Sequence, residues 1–377
     1  MHRAVFQRAS YTTVSFMASL VAGKMNAHQP RLQTLAKLIP PLTYNMRKGD
    51  CGRVAIVGGC EEYTGAPYFV ASSSLRLGTD IAYLICAKDA STAIKSYTPD
   101  IIVLPYLQHG EKDERVAAVL AKTHAVSVGS GLGKSEVLQE NARQAILAAK
   151  GANIPVVLDA DSLDIVCKTP DVISGYVKAV LTPNAPEFDR LCKAVGVDPM
   201  GSGLSESNAT LLLARKLGGV TVVRKGATDV ISNGRRVFVC DEASGLRRCG
   251  GQGDVLCGAT VTFLAWGEKY VAAKTDASLS SSTATAGAAS SMSQSSTDAG
   301  AAKKKHASSS SLADDIDSND IPMLASYAAC MLTRHASYLA YDEYGRATQA
   351  SNILEQIDIS FDNKFEELLK AVRPANL

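Results

Sequence analysis

The sequence predicts an α/β fold whose central sheet is mostly parallel and covered by helices on both faces. Short, almost continuously apolar runs recur along the first two thirds of the 377-residue chain, and strands that are buried on both faces have this composition. Segments with helical spacing of apolar residues lie between them, which is the alternation of an α/β fold. Glycine and polar residues follow several of these runs, at the edge where such sheets bind ligands.

The predicted sheet begins with residues 53–57 (RVAIV), which are followed by two glycines and a helix from Pro67 to about Leu77. A strand, a glycine turn and a proline in the first helical turn are typical of a βα unit. The glycine turn does not match the G-x-G-x-x-G pattern, so the sequence does not support a Rossmann dinucleotide fold. Further strands are predicted at 80–86, 101–104, 125–128, 155–159, 179–182 and 220–224, and helices at about 114–122, 135–149, 185–195 and 207–217.

Residues 244–258 (SGLRRCGGQGDVLCG) are predicted to bind an anion. The loop's glycines permit a tight turn that exposes backbone N–H groups, and the apolar residues that follow predict a buried helix. The N-terminus of a helix attracts negative charge, and Asp254 at that position is expected to be ionised and able to act as a base. Arg247 and Arg248 carry guanidinium groups suited to phosphate oxygens. The alternative is a glycine turn that Asp254 merely caps.

Other predicted strands also end in polar residues. A second glycine loop, residues 129–133, follows one strand, and Lys225 follows another, where it either faces a phosphate or lies on the surface. Asp159 and Asp161 either belong to the site or cap a helix that begins near Leu163. Asn184 is expected to cap the next helix with Glu187 as its partner, a role that is compatible with ligand binding.

Composition excludes several classes of function. The formal net charge is +2, so there is no broad electrostatic case for binding nucleic acid or an anionic membrane. The nine cysteines are scattered, form no C-x-x-C pair and are accompanied by six histidines. They therefore indicate neither a zinc site nor a disulfide framework, and a reducing compartment fits best.

Two segments differ from the rest in composition. The first 49 residues contain no Asp or Glu, as in a mitochondrial transit peptide, so residues 1–40 are predicted to be a targeting or disordered extension. The apolar run at 14–22 is too short to span a membrane, and Met17 or Met25 as internal starts would give a cytosolic form. Residues 275–320 are rich in small and polar residues and predict a disordered insert. Residues 41–377 then form one domain, with helices resuming at 321–341, 353–357 and 361–372.

The order of these segments resembles the ribokinase-like fold and, more specifically, the ATP- or ADP-dependent NAD(P)H-hydrate dehydratase family. The resemblance rests on six segments that cover nearly the whole folded region: 48–69 (KGDCGRVAIVGGCEEYTGAPYF), 128–133 (VGSGLG), 159–163 (DADSL), 181–191 (LTPNAPEFDRL), 224–229 (RKGATD) and 245–254 (GLRRCGGQGD). The basic N-terminal extension and the 275–320 insert depart from the family pattern, but neither touches a motif.

The resemblance implies an ATP-consuming lyase that repairs NADH or NADPH carrying an added water at C6 of the nicotinamide ring. Asp254 would take the proton from the C6 hydroxyl as that hydroxyl attacks the γ-phosphoryl group, and Gly250, Gly251 and Gly253 would form the anion hole. Mg²⁺ would neutralise the phosphates; its protein ligands are unknown, with Asp159 and Glu187 as candidates through water.

The implied contacts fall into two sets. Those to the hydrated nicotinamide nucleotide are Asp254, Gly131, Asn184, Ala185, Pro186, Glu187, Phe188, Asp189 and Arg190. Those to ATP are Lys225, Gly226, Ala227, Thr228, Asp229, Ser244, Gly245, Leu246, Arg247, Arg248, Cys249, Gly250, Gly251, Gln252 and Gly253.

Two other functions compete with the dehydratase. A kinase of the same fold that phosphorylates a small vitamin-like alcohol would use identical chemistry up to phosphoryl transfer. A nucleotide-binding protein without catalysis is disfavoured by the intact glycine loop and Asp254. The sequence places the protein in mitochondria, the cytoplasm or both, and it leaves homo-oligomerisation and the preference between ATP and ADP open.

Overall fold

A nine-stranded sheet organises the molecule in the computed structural model, which describes residues 32–108, 113–198, 204–289 and 316–372. The strands are β1 (Arg53–Val57), β2 (Ile81–Ala87), β3 (Ile102–Leu107), β4 (Ala125–Val128), β5 (Val156–Leu158), β6 (Ala179–Leu181), β7 (Thr221–Arg224), β8 (Asp229–Ser232) and β9 (Val237–Cys240). Their order in the sheet is β3-β2-β1-β4-β5-β6-β7-β8-β9.

The helices occupy the intervals between strands and the C-terminal part of the chain. They are α1 (Leu32–Ala36), α2 (Gly65–Leu77), α3 (Lys88–Tyr97), α4 (Glu114–Leu120), α5 (Glu136–Gly151), α6 (Asp161–Lys168), α7 (Ala185–Ala194), α8 (Glu206–Lys216), α9 (Gln252–Ala289), α10 (Ile321–Tyr344), α11 (Ala350–Glu355), α12 (Ile357–Phe361) and α13 (Glu367–Val372).

Strands β1 to β7 are paired in parallel, which confirms the predicted parallel sheet. The central strands are buried along their whole length; β4, β5 and β6 are examples. All seven predicted strands are present, with ends that differ by a few residues at most. Because the strands are parallel, their carboxyl ends meet at one edge of the sheet, where the predicted site residues follow them.

The antiparallel strands β8 and β9 were not among the sequence predictions. They form a hairpin that extends the sheet beyond β7, since β7 pairs with β8 and β8 with β9 in antiparallel orientation. Each strand has only four residues, and β8 carries polar residues at both ends. The Asn233-Gly234 turn between them is a hairpin signal, and Gly234 adopts a φ of 78° there.

Helix α9 is central to the packing because it contacts α2, α10 and the strands β1, β4 and β5. Its first part is apolar and buried, as in Val255, Phe263 and Trp266, which confirms the buried helix predicted after the glycine loop. Gly258 lies directly against the Val70 carbonyl and Ser73 of α2. Any larger residue at 258 would push the two helices apart.

The chain ends differ from the sequence predictions. Leu35, Leu38 and Ile39 are buried in the core, and α1 contacts α13. The predicted boundary at residue 40 is therefore wrong for residues 32–40, whereas residues 1–31 lie outside the described part of the chain. Helix α9 continues to Ala289, so the predicted insert begins as helix, and residues 290–315 are not described.

Two further differences concern helices. Helix α3 is absent from the predictions because its sequence, KDASTAIKSY, is mostly polar and small. Helix α6 begins at Asp161, earlier than the predicted start near Leu163.

Within the described ranges, no helix combines the length and apolarity needed to cross a membrane.

Candidate active site

The carboxyl ends of β5, β6 and β7 and the start of α9 meet around one partly buried ion pair. Asp159, directly after β5, accepts a hydrogen bond from Lys225 Nζ, directly after β7, at 2.7 Å. Thr182, directly after β6, donates to the same Asp159 oxygen, Oδ1, at 2.9 Å. Cys257 Sγ of α9 lies 3.7 Å from Thr182 Oγ1. Three neighbouring strand ends thus form one polar cluster, as the sequence predicted for this edge of the sheet.

Both members of the ion pair are charged. Burial alone would raise the pKa of Asp159, but the Lys225 charge and the hydrogen bonds from Lys225 and Thr182 outweigh it and hold the pKa below its usual range. Burial likewise disfavours the Lys225 ammonium, yet Asp159 raises its pKa above the ordinary value. The buried Asp159 carboxylate and the partly buried Lys225 ammonium stay ionised because each compensates the other.

Asp254 lies in the first turn of α9, beside this pair. Burial, reinforced by the negative charge of Asp159, raises its pKa to about 7. The nearby Ser130 hydroxyl and the Lys225 charge offset part of this rise, although Ser130 Oγ completes no hydrogen bond within the described residues. Near neutral pH the Asp254 carboxyl is thus poised between its two forms, so the expected ionisation is only partial there, and a pKa in this range suits a general base.

The glycine loop before α9 has the shape expected of an anion site. Gly251 adopts a φ of 92°, and a Cβ there would stand 2.6 Å from Ala350 Cβ and 3.2 Å from the Phe69 ring. A Cβ at Gly253 would stand 3.4 Å from Lys225 Nζ and 3.7 Å from Asp159 Oδ2. Gly250 has open space where its Cβ would be. The loop therefore passes directly over the ion pair, and the open side at Gly250 leaves room for a ligand.

The predicted nucleotide loop 225–229 is held from below by an arginine of α10. Arg334 donates to the carbonyl oxygens of Gly226 at 3.4 Å and of Ala227 at a shorter distance, and to Asp229 Oδ2 at 3.2 Å. Asp229 Oδ1 in turn accepts from the Gly226 N–H at 3.0 Å. The carboxylate of Asp229 is buried in these contacts. Asp229 thus stabilises the loop conformation through these hydrogen bonds. Gly226 and Ala227 are exposed and are open to a ligand.

The two predicted arginines differ in their surroundings. Arg248 donates to the Gly245 carbonyl at 2.7 Å, so its guanidinium is tied to its own loop. Arg247 and Leu246 are exposed. Gly245 lies against α10, where a Cβ would stand 2.7 Å from Tyr341 Cβ. The remaining predicted nucleotide contacts, Ser244, Cys249, Gln252 and Thr228, are partly exposed along the same loops.

On the predicted substrate side, Gly131 adopts a φ of 63° and packs against the Tyr63 carbonyl. Asn184 forms the predicted capping box with Glu187: its side chain accepts from the Glu187 N–H at 3.0 Å and its N–H donates to Glu187 Oε2 at 2.8 Å. Both residues cap the helix at the carboxyl edge of the sheet, as the sequence predicted.

The other residues of the 184–190 segment divide into two groups. Ala185, Pro186, Asp189 and Arg190 are exposed, and Arg190 lies 3.4 Å from Asp164. Phe188, by contrast, is 1% exposed and packs in the core, with the Arg224 guanidinium 5.2 Å from its ring. The buried ring anchors α7, and the substrate contact assigned to Phe188 stays a prediction.

The donor set at the site limits how a metal ion could be held. Across the described residues, no three His, Cys, Asp or Glu side chains are grouped as ligands for one ion. Asp159 is already bound to Lys225, and Glu187 accepts from Asn184. A Mg²⁺ ion here fits a site dominated by nucleotide phosphates and water.

Asp159 and Asp161 do not cap α6, because Asp161 accepts instead from the Gly133 N–H at 2.8 Å.

Sequence reasoning missed Ser130, Thr182 and Arg334 as parts of the site. Ser130 and Thr182 stand at strand ends inside two quoted motifs, so their positions were a usable signal. Arg334 lies in a helix about a hundred residues from the loop it holds, and no local pattern indicates that contact. It is a charged residue that is only 8% exposed, in a helix most of whose residues are buried.

The same chain is similar to known proteins over most of its length. A profile of the NAD(P)H-hydrate dehydratase family matches residues 54–312. Proteins named ATP-dependent (S)-NAD(P)H-hydrate dehydratase are 37% identical in Rattus norvegicus, over 88% of this chain and 85% of the rat protein, and 38% identical in Homo sapiens, over 89% and 84%. The Schizosaccharomyces pombe protein of that name is 33% identical over 92% of this chain and 98% of its own.

Solved structures are similar in fold. A ribokinase-like superfamily protein from Enterococcus faecalis superposes with a TM-score of 0.63 at 16% identity, covering 89% of this chain and 96% of its own. The ADP/ATP-dependent NAD(P)H-hydrate dehydratase from Bacillus subtilis, co-crystallised with ATP and Mg²⁺, superposes with a TM-score of 0.60 at 17% identity, covering 90% and 100%. The expected ribokinase-like fold is confirmed, and the chain belongs to the NAD(P)H-hydrate dehydratase family.

Proposed function

We propose that this protein is an ATP-dependent (S)-NAD(P)H-hydrate dehydratase whose general base is Asp254. Beyond family membership, one observation supports the chemistry: the Asp254 carboxyl, with a pKa near 7, lies beside Lys225 at the glycine loop that begins α9. A base with a pKa near the working pH and a cation at an anion loop are what phosphoryl transfer to a hydroxyl requires.

In the first step, Asp254 accepts the proton of the C6 hydroxyl while that oxygen attacks the γ-phosphorus of ATP. The new bond joins the C6 oxygen to phosphorus, the bond to the β-phosphate oxygen breaks, and ADP leaves. Backbone N–H groups of the glycine loop and the Lys225 ammonium stabilise the charge on the transferring group. In the elimination, the ring nitrogen supplies electrons as the C6–O bond breaks, phosphate departs, and a proton leaves the adjacent ring carbon to restore the dihydropyridine.

The reason for spending ATP is the leaving group. Hydroxide is a poor leaving group and phosphate a good one, so phosphorylation makes loss of the C6 oxygen feasible. Mg²⁺, when bound, would neutralise phosphate charge and orient the nucleotide. In this chain Glu187, which is partly exposed at that edge of the sheet, is a carboxylate that would reach the ion through water.

The cellular location is a further part of the proposal. The acid-free N-terminal segment supports mitochondrial targeting, and internal starts at Met17 or Met25 would yield a cytosolic form. All nine cysteines are free thiols in the structure, which supports a reducing compartment. Imaging of tagged full-length protein beside a variant lacking residues 1–16 tests this: targeting requires that the truncation alone loses the mitochondrial signal.

The activity is tested by incubating purified protein with hydrated NADH, ATP and Mg²⁺ while following the reduced-nicotinamide absorbance band and the release of ADP. We expect ATP-dependent recovery of NADH by the wild type and no recovery by Asp254→Asn, which should still bind ATP. A matched surface variant, Arg236→Met, should behave as the wild type, because its guanidinium is 63% exposed and bound to Asp320.

Other outcomes assign the protein differently. ADP release with a phosphorylated alcohol as the accumulating product, and no recovery of NADH, would identify the kinase alternative. ATP binding without turnover of any substrate would identify the non-catalytic alternative. Either result contradicts the dehydratase assignment.

A further inference from the structure

We propose that Asp159 is a positioning residue of the reaction: its carboxylate holds the Lys225 ammonium beneath Gly253 and so presents that cation to the transferring phosphoryl group. The proposal rests on the proposed function, since it assigns Lys225 a ligand at the site of Asp254. It also replaces the expectation that Asp159 serves a metal ion.

The first argument is the geometry of the pair. Lys225 Nζ lies 2.7 Å from Asp159 Oδ1, and the position of a Cβ at Gly253 lies 3.4 Å from the same ammonium. A lysine has three N–H donors, and Asp159 accepts one. Because Nζ lies so close to Gly253, the ammonium is adjacent to the loop whose N–H groups are expected to receive the phosphoryl oxygens.

The second argument is that the Asp159 carboxylate is itself fixed in direction. Asp159 is 4% exposed, and Thr182 Oγ1 donates to its Oδ1 at 2.9 Å. Ser162 Oγ donates to its carbonyl oxygen at 2.8 Å, and Gly129 packs against that same carbonyl. Neighbours on both its side chain and its backbone thus determine where Asp159 points.

The third argument is backbone strain at the next residue. Ala160 has a φ of 50°, one of two non-glycine residues with a positive φ in the described ranges. A residue with a Cβ adopts this conformation only at an energetic cost, and such strain concentrates at functional sites. Here it turns the chain between Asp159 and α6, so that Asp159 faces Lys225 while Asp161 faces the Gly133 N–H.

The pair also acts on the base. The groups that face Asp254 are Asp159 at the end of β5, Lys225 at the end of β7, the Ser130 hydroxyl at the end of β4 and the Cys257 thiol on α9 itself. The Asp159 charge raises the pKa of Asp254, whereas the Lys225 charge lowers it. Neutralising Asp159 removes the charge that raises the pKa of Asp254 and leaves the Lys225 charge that lowers it. The pKa of Asp254 should therefore fall in such a variant.

The test is steady-state kinetics of Asp159→Asn with hydrated NADH and ATP, across pH 5 to 9. Because misplacing a catalytic group by about 1 Å can cost about 100-fold in rate, we expect kcat to fall by about 10- to 100-fold while the KM for hydrated NADH changes less than about threefold. We also expect the acid limb of kcat/KM to move to lower pH by about one unit.

A double-mutant cycle with Lys225→Met identifies the route of the effect. If Asp159 acts through Lys225, adding Asp159→Asn to Lys225→Met should lower kcat less than about threefold further, because the two residues then operate as a unit. Full multiplication of the two losses would contradict the proposal. The double variant carries no unpaired buried charge and is expected to fold.

Lys225→Met leaves the buried Asp159 carboxylate without its partner, and Asp159→Asn leaves the partly buried Lys225 ammonium without its own, so both single variants are at risk of not folding. Thr182→Val therefore serves as a second variant, since it removes one hydrogen bond to Asp159 and keeps every charge. We expect it to lower kcat by about 3- to 10-fold without changing the KM for hydrated NADH. A Thr182→Val enzyme with unchanged kcat, or an Asp159→Asn enzyme with unchanged kcat and pH profile, would overturn the proposal.

The outcomes also separate this inference from the proposed function. A wild type that recovers NADH while these variants match it contradicts the positioning role alone. A wild type with no dehydratase activity contradicts the proposed function. In that case the same variants, assayed by ATP-dependent phosphorylation of whichever alcohol is accepted, still test whether Asp159 presents Lys225.

Discussion

Arg334 Nη1 and Asp229 Oδ2 form a buried ion pair, 3.2 Å apart, beneath the loop that we propose holds ATP. The pair joins α10 to the start of β8, and the same guanidinium also donates to the Glu242 carbonyl at 2.6 Å. One side chain of α10 thus holds both the loop between β7 and β8 and the segment after β9. The helix that follows the long insert therefore supports the loop of the proposed nucleotide site.

Replacing Arg334 with Met should both destabilise the protein and weaken ATP binding. Asp229 would remain buried without its partner, which costs about 3–5 kcal/mol, and the carbonyls of Gly226 and Ala227 would lose their donor. Chemical denaturation and the KM for ATP measure the two effects. Arg236→Met is the control, because an exposed pair such as Arg236 with Asp320 contributes less than about 1 kcal/mol. Equal stability losses in the two variants would contradict the structural role of Arg334.

Substituting alanine in the glycine loop should destabilise the protein at one position and have little effect at its neighbour. Gly251→Ala forces a Cβ to within 2.6 Å of Ala350 Cβ at a φ of 92°, so we expect a loss of about 2–4 kcal/mol. Gly250→Ala meets no atom within 4 Å and has no positive φ, so its free energy of unfolding should change by less than about 1 kcal/mol. Thermal denaturation of both variants tests the loop conformation, and a Gly250→Ala protein that is the less stable of the two would refute it.

Asp254→Asn should make the protein more stable, increasingly so as the pH rises. The folded-state pKa of Asp254, about 7, lies above the ordinary value of 3.8, so folding favours the protonated carboxyl. The wild type therefore loses stability as the pH rises from about 4 through 7, whereas the neutral amide does not. Each pKa unit corresponds to about 1.4 kcal/mol, so the advantage of the variant should grow by about 2–3 kcal/mol between pH 5 and pH 8.

Denaturant titrations of both proteins at the two pH values measure this difference. A constant gap between the wild type and Asp254→Asn at pH 5 and pH 8 would show that the carboxyl titrates normally. Asp113→Asn is a suitable comparison, because Arg115 lowers the pKa of that partly exposed carboxyl and its replacement should bring no gain at high pH.

The sequence was informative wherever the signal was local. The parallel strands were predicted because burial on both faces requires a continuous apolar run, as in β1 and β4. Asn184 and Glu187 were predicted as a capping box because that interaction spans three residues. The position of Asp254 at the start of α9 followed from the glycine loop before it. In each case the physics operates within one turn or one strand.

Long-range contacts account for what the sequence did not show. The pKa of Asp254 is raised by burial and by Asp159, which is almost a hundred positions away in the chain, so the local sequence did not reveal that the carboxyl is only partly ionised near neutral pH. Phe188 belongs to a motif that resembles the family's substrate segment, yet its apolar ring is buried while its neighbours are exposed. The burial of Leu35 and Leu38 depends on contacts with the C-terminal helix α13, which composition alone does not reveal.

The measurement that tests the central claim most directly is the pH dependence of kcat/KM for hydrated NADH at saturating ATP and Mg²⁺. If Asp254 is the general base, activity should rise with pH along an acid limb whose apparent pKa is about 7, because the ionised carboxylate is the active form. Activity that is independent of pH between 5 and 8 would mean that the base is a group with an ordinary carboxyl pKa, and would contradict the role assigned to the Asp254 environment.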